Sequence, residues 1–167
     1  RVTAPVVSLN VSGVDFTDAG VALKTLPSLT ALHMASVPDK ALDAVLGPDA
    51  GVLPKLGALA TLDISYTCVD SLASLVALAP TLDILRMAGT LIRSADYSFL
   101  ANLGLIELDI AGCVGLDLAV IQHMSRLRHL RLAAATDVDD WSWTVLDELA
   151  SLVDLDLSRT AVPGAHL

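Results

Sequence analysis

The chain has 167 residues, enough for one domain with a real core and too few to suggest two. Its hydrophobic share of 54% is carried by Leu, Ala and Val, with only 4% aromatic residues, and charges or prolines interrupt every apolar run before the roughly 18 residues a membrane span requires. Nineteen acids against ten bases, a net charge of -9, exclude broad contact with nucleic-acid phosphates or an anionic membrane surface and favour a basic or neutral protein partner.

One short pattern recurs from end to end. VVSLNVSGVDF (6–16) is a loose first copy, followed by LTALHMASVPD (29–39), LATLDISYTCV (59–69), LDILRMAGTLI (82–92), LIELDIAGCVG (105–115), LRHLRLAAATD (127–137) and LVDLDLSRTAV (152–162). The second anchors, Leu9, Leu32, Leu62, Leu85, Leu108, Leu130 and Leu155, are spaced by 23, 30, 23, 23, 22 and 25 residues. Within each copy, L-x-L predicts a short strand whose alternate side chains face opposite ways, so the aliphatic residues point inward and those between them face solvent. The seven extra residues of the 30-residue interval are expected to bulge as a loop near Leu46 to Lys55.

The returning segments carry helical rather than strand periodicity. In SADYSFLANL (94–103), Ser94 or Asp96 can cap a helical turn. In DDWSWTVLDELASL (139–152), Asp139 or Asp140 can do the same, and Val145, Leu146, Leu149 and Leu152 share one face. Trp141 and Trp143, at i and i+2, cannot both enter one core; one should pack, and the other either packs on the outer side or stands exposed as an anchor.

The spacing L-x-x-L-x-L-x-x-[N/C]-x-L, repeated seven times at a period of 20 to 30 residues, resembles the leucine-rich-repeat family. That resemblance implies an α/β fold: a right-handed solenoid, or horseshoe, of about seven repeats, with a parallel concave sheet and short convex helices or helical turns. Where the family usually carries Asn, this chain has Val14, Val37, Thr67, Thr90, Cys113, Ala135 and Thr160. Thr or Cys can still donate to the turning backbone; Val and Ala cannot, so those turns are expected to be looser. Residues 1–167 are expected to form a single solenoid that belongs to a longer protein or has its ends covered by another domain or chain, because no polar terminal cap is evident.

The register also predicts a surface. The central outward column reads Asn10, His33, Asp63, Arg86, Asp109, Arg131, Asp156, and a neighbouring column contains Glu107, His129 and Asp154. Acid and Arg alternate there, either as a self-neutralising cross-strand ladder or as a partner-binding face. The candidate partner-binding residues are His33, Asp63, Arg86, Glu107, Asp109, His129, Arg131, Asp154 and Asp156. The flanking Ala35, Ala88, Ala111 and Ala133 leave room for a partner to approach. Seven acids between Asp137 and Asp156 predict a negative pole at the C-terminal end.

No G-x-S-x-G, Gly-rich phosphate loop, H-E-x-x-H or Cys-x-x-Cys occurs in the sequence. His33 and His129 should lie four strands apart, about 19 Å, too far to share a metal. Glu107 with Asp109, and Asp154 with Asp156, put carboxylate pairs about 6.6 Å apart on one face, but Arg86 and Arg131 beside them oppose the neutral form a general acid needs. Cys68 is expected in a turn with no His neighbour, and Asn10-Val11-Ser12, a formal glycosylation acceptor, falls inside a predicted strand. The two cysteines form no disulfide framework, which favours a reducing, cytoplasmic setting.

The residues therefore read as a non-catalytic scaffold for protein-protein interaction, without cofactor or metal. A structural brick of a large multiprotein assembly, or the recognition domain of a larger enzyme or receptor, are the alternatives; the step from shape to role rests on the resemblance.

Overall fold

The computed structural model describes residues 5–15, 18–47, 49–69, 71–92, 96–136 and 140–161. In chain order its strands are β1 (Ser8–Asn10), β2 (Ala31–His33), β3 (Thr61–Asp63), β4 (Cys68–Val69), β5 (Ile84–Arg86), β6 (Leu91–Ile92), β7 (Glu107–Asp109), β8 (His129–Arg131) and β9 (Asp154–Asp156). Seven of them form one parallel sheet in the order β1-β2-β3-β5-β7-β8-β9, one strand for each sequence copy.

Register is set by the leucine anchors. Leu9 pairs with Leu32, Leu32 with Leu62, Leu62 with Leu85, Leu85 with Leu108, Leu108 with Leu130, and Leu130 with Leu155. A slip of one residue would turn every leucine to solvent, so burial of this row fixes the pairing. Leu32, Leu62, Leu85 and Leu108 are fully buried, and so are Met34, Ile64, Met87, Ile110 and Leu132 two residues on. Each such side chain contributes about 1.5–3 kcal/mol by leaving water.

Coil-to-coil hydrogen bonds run past the strands into the turns. The amides of Met34, Ile64, Met87, Ile110 and Leu132 each donate to the next coil, and those of Ser36, Tyr66, Gly89, Gly112 and Ala134 do so again two residues later. This second set requires a left-handed residue at the same place in every turn: Gly13, Ser36, Tyr66, Gly89, Gly112, Ala134 and Arg159 all have φ between 55° and 71°. Beyond that turn, β4 pairs with β6 in a small second parallel sheet, and a bridge joins Val114 to Thr136. Cys68, expected in a turn, is thus in a strand.

Inside the turns, hydroxyls and a thiol occupy the place of the family's Asn. Thr67 and Thr90 both donate to the Ile64 carbonyl, Cys113 Sγ to that of Met87, and Thr160 to that of Leu132. Val37 and Ala135 have no donor to offer, yet their turns keep the same left-handed residue and the same coil-to-coil amide bonds.

Opposite the sheet, the return segments are short helices: α1 (Ala19–Leu23), α2 (Asp39–Leu46) and 3-10 turns at Leu53–Lys55, Ala73–Leu78, Ser98–Asn102, Leu118–Ile121 and Asp140–Glu148. Asp96 accepts from the Ser98 amide at the start of one, as the sequence predicts; Ser94 and Asp139, the alternative caps, lie outside the described residues. Val145 and Leu149 of the last are buried, with Leu146 and Leu152 half-buried beside them.

A loop lies where the extra residues are expected, between α2 and the turn at Leu53–Lys55. Before it the longer interval builds α2, with Pro38 before its first turn, Asp39 inside it and Ala41, Leu42, Val45 and Leu46 buried at helical spacing. The far end of the loop does not bulge: Val52, and Leu53 at the start of the 3-10 turn, are buried in the core. Apolar side chains at both ends of the extra stretch hold it against the solenoid.

Candidate interaction surface

The strand pairings place the candidate residues in two columns on the open sheet face. Ser8, Ala31, Thr61, Ile84, Glu107, His129 and Asp154 align in one, and Asn10, His33, Asp63, Arg86, Asp109, Arg131 and Asp156 in the other. All nine candidate residues therefore lie on one face, most of them half-buried. The short side chains of Ala35, Ala88 and Ala111 border the second column, two residues beyond His33, Arg86 and Asp109.

Electrostatics on this face centre on Glu107. Arg86 donates from Nε at 2.9 Å and from Nη2 at 2.8 Å to Glu107 Oε1, and Arg131 Nη1 reaches the same oxygen at 3.2 Å. Arg131 Nη1 also lies 3.9 Å from Asp109 Oδ2. Pairs along the central column are present, Arg131 with Asp109 and His33 with Asp63 at 3.8 Å, while the shorter contacts run diagonally to Glu107 in the neighbouring column. The reason is local. Asp63, Asp109 and Asp156 each turn one carboxylate oxygen back onto the amide two residues ahead, of Ser65, Ala111 and Ser158. Asn10 makes the same turn with Ser12. These short acids brace the strand exit, whereas the extra methylene of Glu107 carries its carboxylate out between two guanidiniums.

The hydrogen bonds from Ser158 hold the exposed Asp156 carboxyl below its ordinary range. Two histidines add weaker contacts, His33 Nδ1 at 3.8 Å from Asp63 Oδ2 and His129 Nδ1 at 3.6 Å from Asp154 Oδ2.

Elsewhere the chemistry is sparse. Among the described residues no group of three or more His, Cys, Asp or Glu could hold a metal ion, and no helix is long and apolar enough to cross a membrane. Cys68 and Cys113 are free; burial pushes the Cys113 thiol up to about 11, opposite to an activated nucleophile. Trp143 packs into the core, and among the described residues its indole Nε1 has no hydrogen-bond partner. The Trp141 side chain, Asp137 and Asp139 lie outside the described residues, and with them part of the expected acidic pole.

Seven parallel strands on one side, helical returns on the other and one shared register decide the architecture. The chain has the leucine-rich-repeat solenoid fold. No protein-family model matches it, and no curated protein does. Among solved structures, this solenoid is similar to an internalin of Listeria monocytogenes (inlF), with TM-score 0.64 and 21% identity over 90% of this chain and 47% of the other. It is also similar to internalin C2 (inlC2) of the same species, with TM-score 0.64 and 21% identity over 92% of this chain and 71% of the other. The solenoid thus spans about half the length of the first of these.

Sequence reasoning missed the edge where the solenoid's strands run out into the turns. Tyr66, Leu91 and Val114 stand exposed there. The available signal was positional: Pro38, Cys68, Leu91 and Val114 occupy one place in successive repeats, six residues past each anchor, and none is charged.

Proposed function

We propose that the solenoid is a non-catalytic scaffold that binds a basic region of a protein partner on its sheet face. The observation that carries this reading is the pair Arg86 and Arg131 held on one oxygen of Glu107 at the middle of the sheet. Side chains fixed in advance lose less rotamer freedom on binding, and arginine is a common interface anchor. Around them the columns hold five carboxylates, Asp63, Glu107, Asp109, Asp154 and Asp156, against two guanidiniums, so the face is negative and steers a basic partner. The similarity to internalins supports the shape of the platform.

Cross-linking mass spectrometry of the chain in an extract of its source organism tests the reading. Cross-links of one partner should fall on the sheet face, and Arg86→Ala with Arg131→Ala, which removes the anchors without adding negative charge, should weaken its capture. Unchanged capture, or cross-links confined to the helical side, overturns it.

A second reading is that another repeat or chain packs on β9. Leu155 is 37% exposed where its equivalents in the inner repeats are buried, and β9 is the last strand of the sheet.

A further inference from the structure

The left-handed position of the turns carries an aromatic side chain only at Tyr66, where φ is 58°. That conformation costs a residue with a Cβ about 1–2 kcal/mol relative to glycine. Burial does not offset the cost, because Tyr66 is 69% exposed. The Cδ1–Cε1 edge of its ring borders Gly89 in the next turn, where a Cβ would stand 2.8 Å from Tyr66 Cδ1, so glycine there leaves the ring its seat. The rest of the ring is open to solvent.

Beside the ring runs an aliphatic row. Pairing of β4 with β6 sets Cys68 next to Leu91, and Val114 follows in the next coil. Leu91 is 59% exposed and Val114 46%. Pro38, Tyr66, Cys68 and Leu91 border a shallow cleft of about 450 Å³, and among the described residues Asp39 is the one charged side chain that lines it. Contiguous exposed apolar groups of this kind mark contact surfaces, and a strained residue that gains nothing from the core points to a use outside it.

We propose that this turn edge is a second docking surface, taking a basic segment of a partner protein that seats one aliphatic side chain between Pro38, Cys68 and Leu91 and lays a Lys or Arg cation on the exposed ring of Tyr66. Cation and ring attract through the ring quadrupole, the more strongly as water is excluded. Charge selects this occupant over a second copy of the chain, since two chains of net charge -9 repel each other. The surface lies at the strand exits and does not depend on the sheet-face reading.

The test titrates the 167-residue chain with a synthetic octapeptide carrying one central Leu among Lys and Arg, and with the same peptide bearing Glu at every basic position. Methyl signals of Leu91 and Val114 and ring signals of Tyr66 are followed by NMR. The basic peptide should move all three and bind at least about tenfold more tightly than the acidic one. Tyr66→Gly with Leu91→Ser should erase the response; glycine suits the left-handed backbone, so the variant keeps the fold, which its remaining spectrum checks. Equal response to both peptides, shifts confined to the sheet face, or binding that survives the double substitution overturns the proposal. So does movement of the same signals with protein concentration alone, which would assign the edge to a second copy.

Discussion

Thr90 Oγ1 donates to the carbonyl of Ile64 across 3.0 Å, from one coil of the solenoid to the coil before it. Thr67 donates to the same carbonyl at 2.6 Å from within that coil. The two hydroxyls therefore share one buried acceptor, and either alone can satisfy it. Thr67→Val and Thr90→Val should each cost about 1 kcal/mol, the net worth of one hydrogen bond. The double variant should lose more than the sum, because only then is a buried carbonyl left bare. Urea denaturation of the four proteins measures the coupling, and strict additivity would show that the two hydroxyls do not act on one acceptor.

The left-handed turn position gives an opposite pair of effects. At Ala134, φ is 55°, so Ala134→Gly relieves about 1–2 kcal/mol of strain while adding about 0.5–1 kcal/mol of unfolded-chain entropy. The net is a stabilisation of roughly 0.5–1 kcal/mol, a rise in Tm of about 1–4 °C. Gly112→Ala should lower Tm through φ alone, since a Cβ there meets nothing closer than Gly89 Cα at 3.7 Å. Gly89→Ala should lower it further, because the same φ penalty is joined by collision with the Tyr66 ring. Thermal melts of the three variants should rank in that order.

The sheet was readable because its signal is geometric: an aliphatic residue at every second place aligns in one register only, and the Leu9-to-Leu155 row is that register. The turn was harder to read. Glycine marks its left-handed position at Gly13, Gly89 and Gly112, but Ser36, Tyr66, Ala134 and Arg159 occupy it elsewhere and hide the pattern. The columns of the candidate face were legible and the bonds across them were not. Strand register says which residues are neighbours, whereas side-chain length and the backbone bonds of Asp63 and Asp109 decide that Arg86 turns to Glu107. For α2, the helical spacing of Ala41, Leu42, Val45 and Leu46 is present in the sequence.

Glu107 should matter more to stability than an ordinary surface acid. Its carboxylate is mostly shielded, with 15% of the side chain exposed, and it separates two guanidiniums. Glu107→Gln keeps the shape, removes the charge and leaves Arg86 facing Arg131. The expected loss is about 1–2 kcal/mol, above the roughly 0–1 kcal/mol of an exposed pair. Raising salt to about 1 M should shrink the difference, because the remaining like-charge repulsion is screened. A loss independent of salt would assign the role of Glu107 to packing instead.

Alkaline pH should unfold the protein through two buried groups that lie in adjoining coils. Burial raises the Cys113 thiol from 9.0 to about 11, and burial, aided by nearby Cys113, raises the Tyr97 hydroxyl from 10.0 to about 12. Both are neutral when protonated, so the folded state holds its protons to higher pH than the unfolded chain does. The stability they contribute is complete below about pH 9, declines between 9 and 11 as Cys113 loses its advantage, and declines further toward 12 through Tyr97. The thiol's share is on the order of 2 kcal/mol. Urea midpoints taken across this range should fall, and Cys113→Ala should flatten the first part of the fall while leaving the share of the second that comes from burial of Tyr97. The same burial should make Cys113 alkylate far more slowly than half-exposed Cys68 near pH 8, rising as the protein opens. Midpoints constant to pH 11, or equal labelling of the two thiols in the folded protein, would place Cys113 outside the buried ladder of the turns.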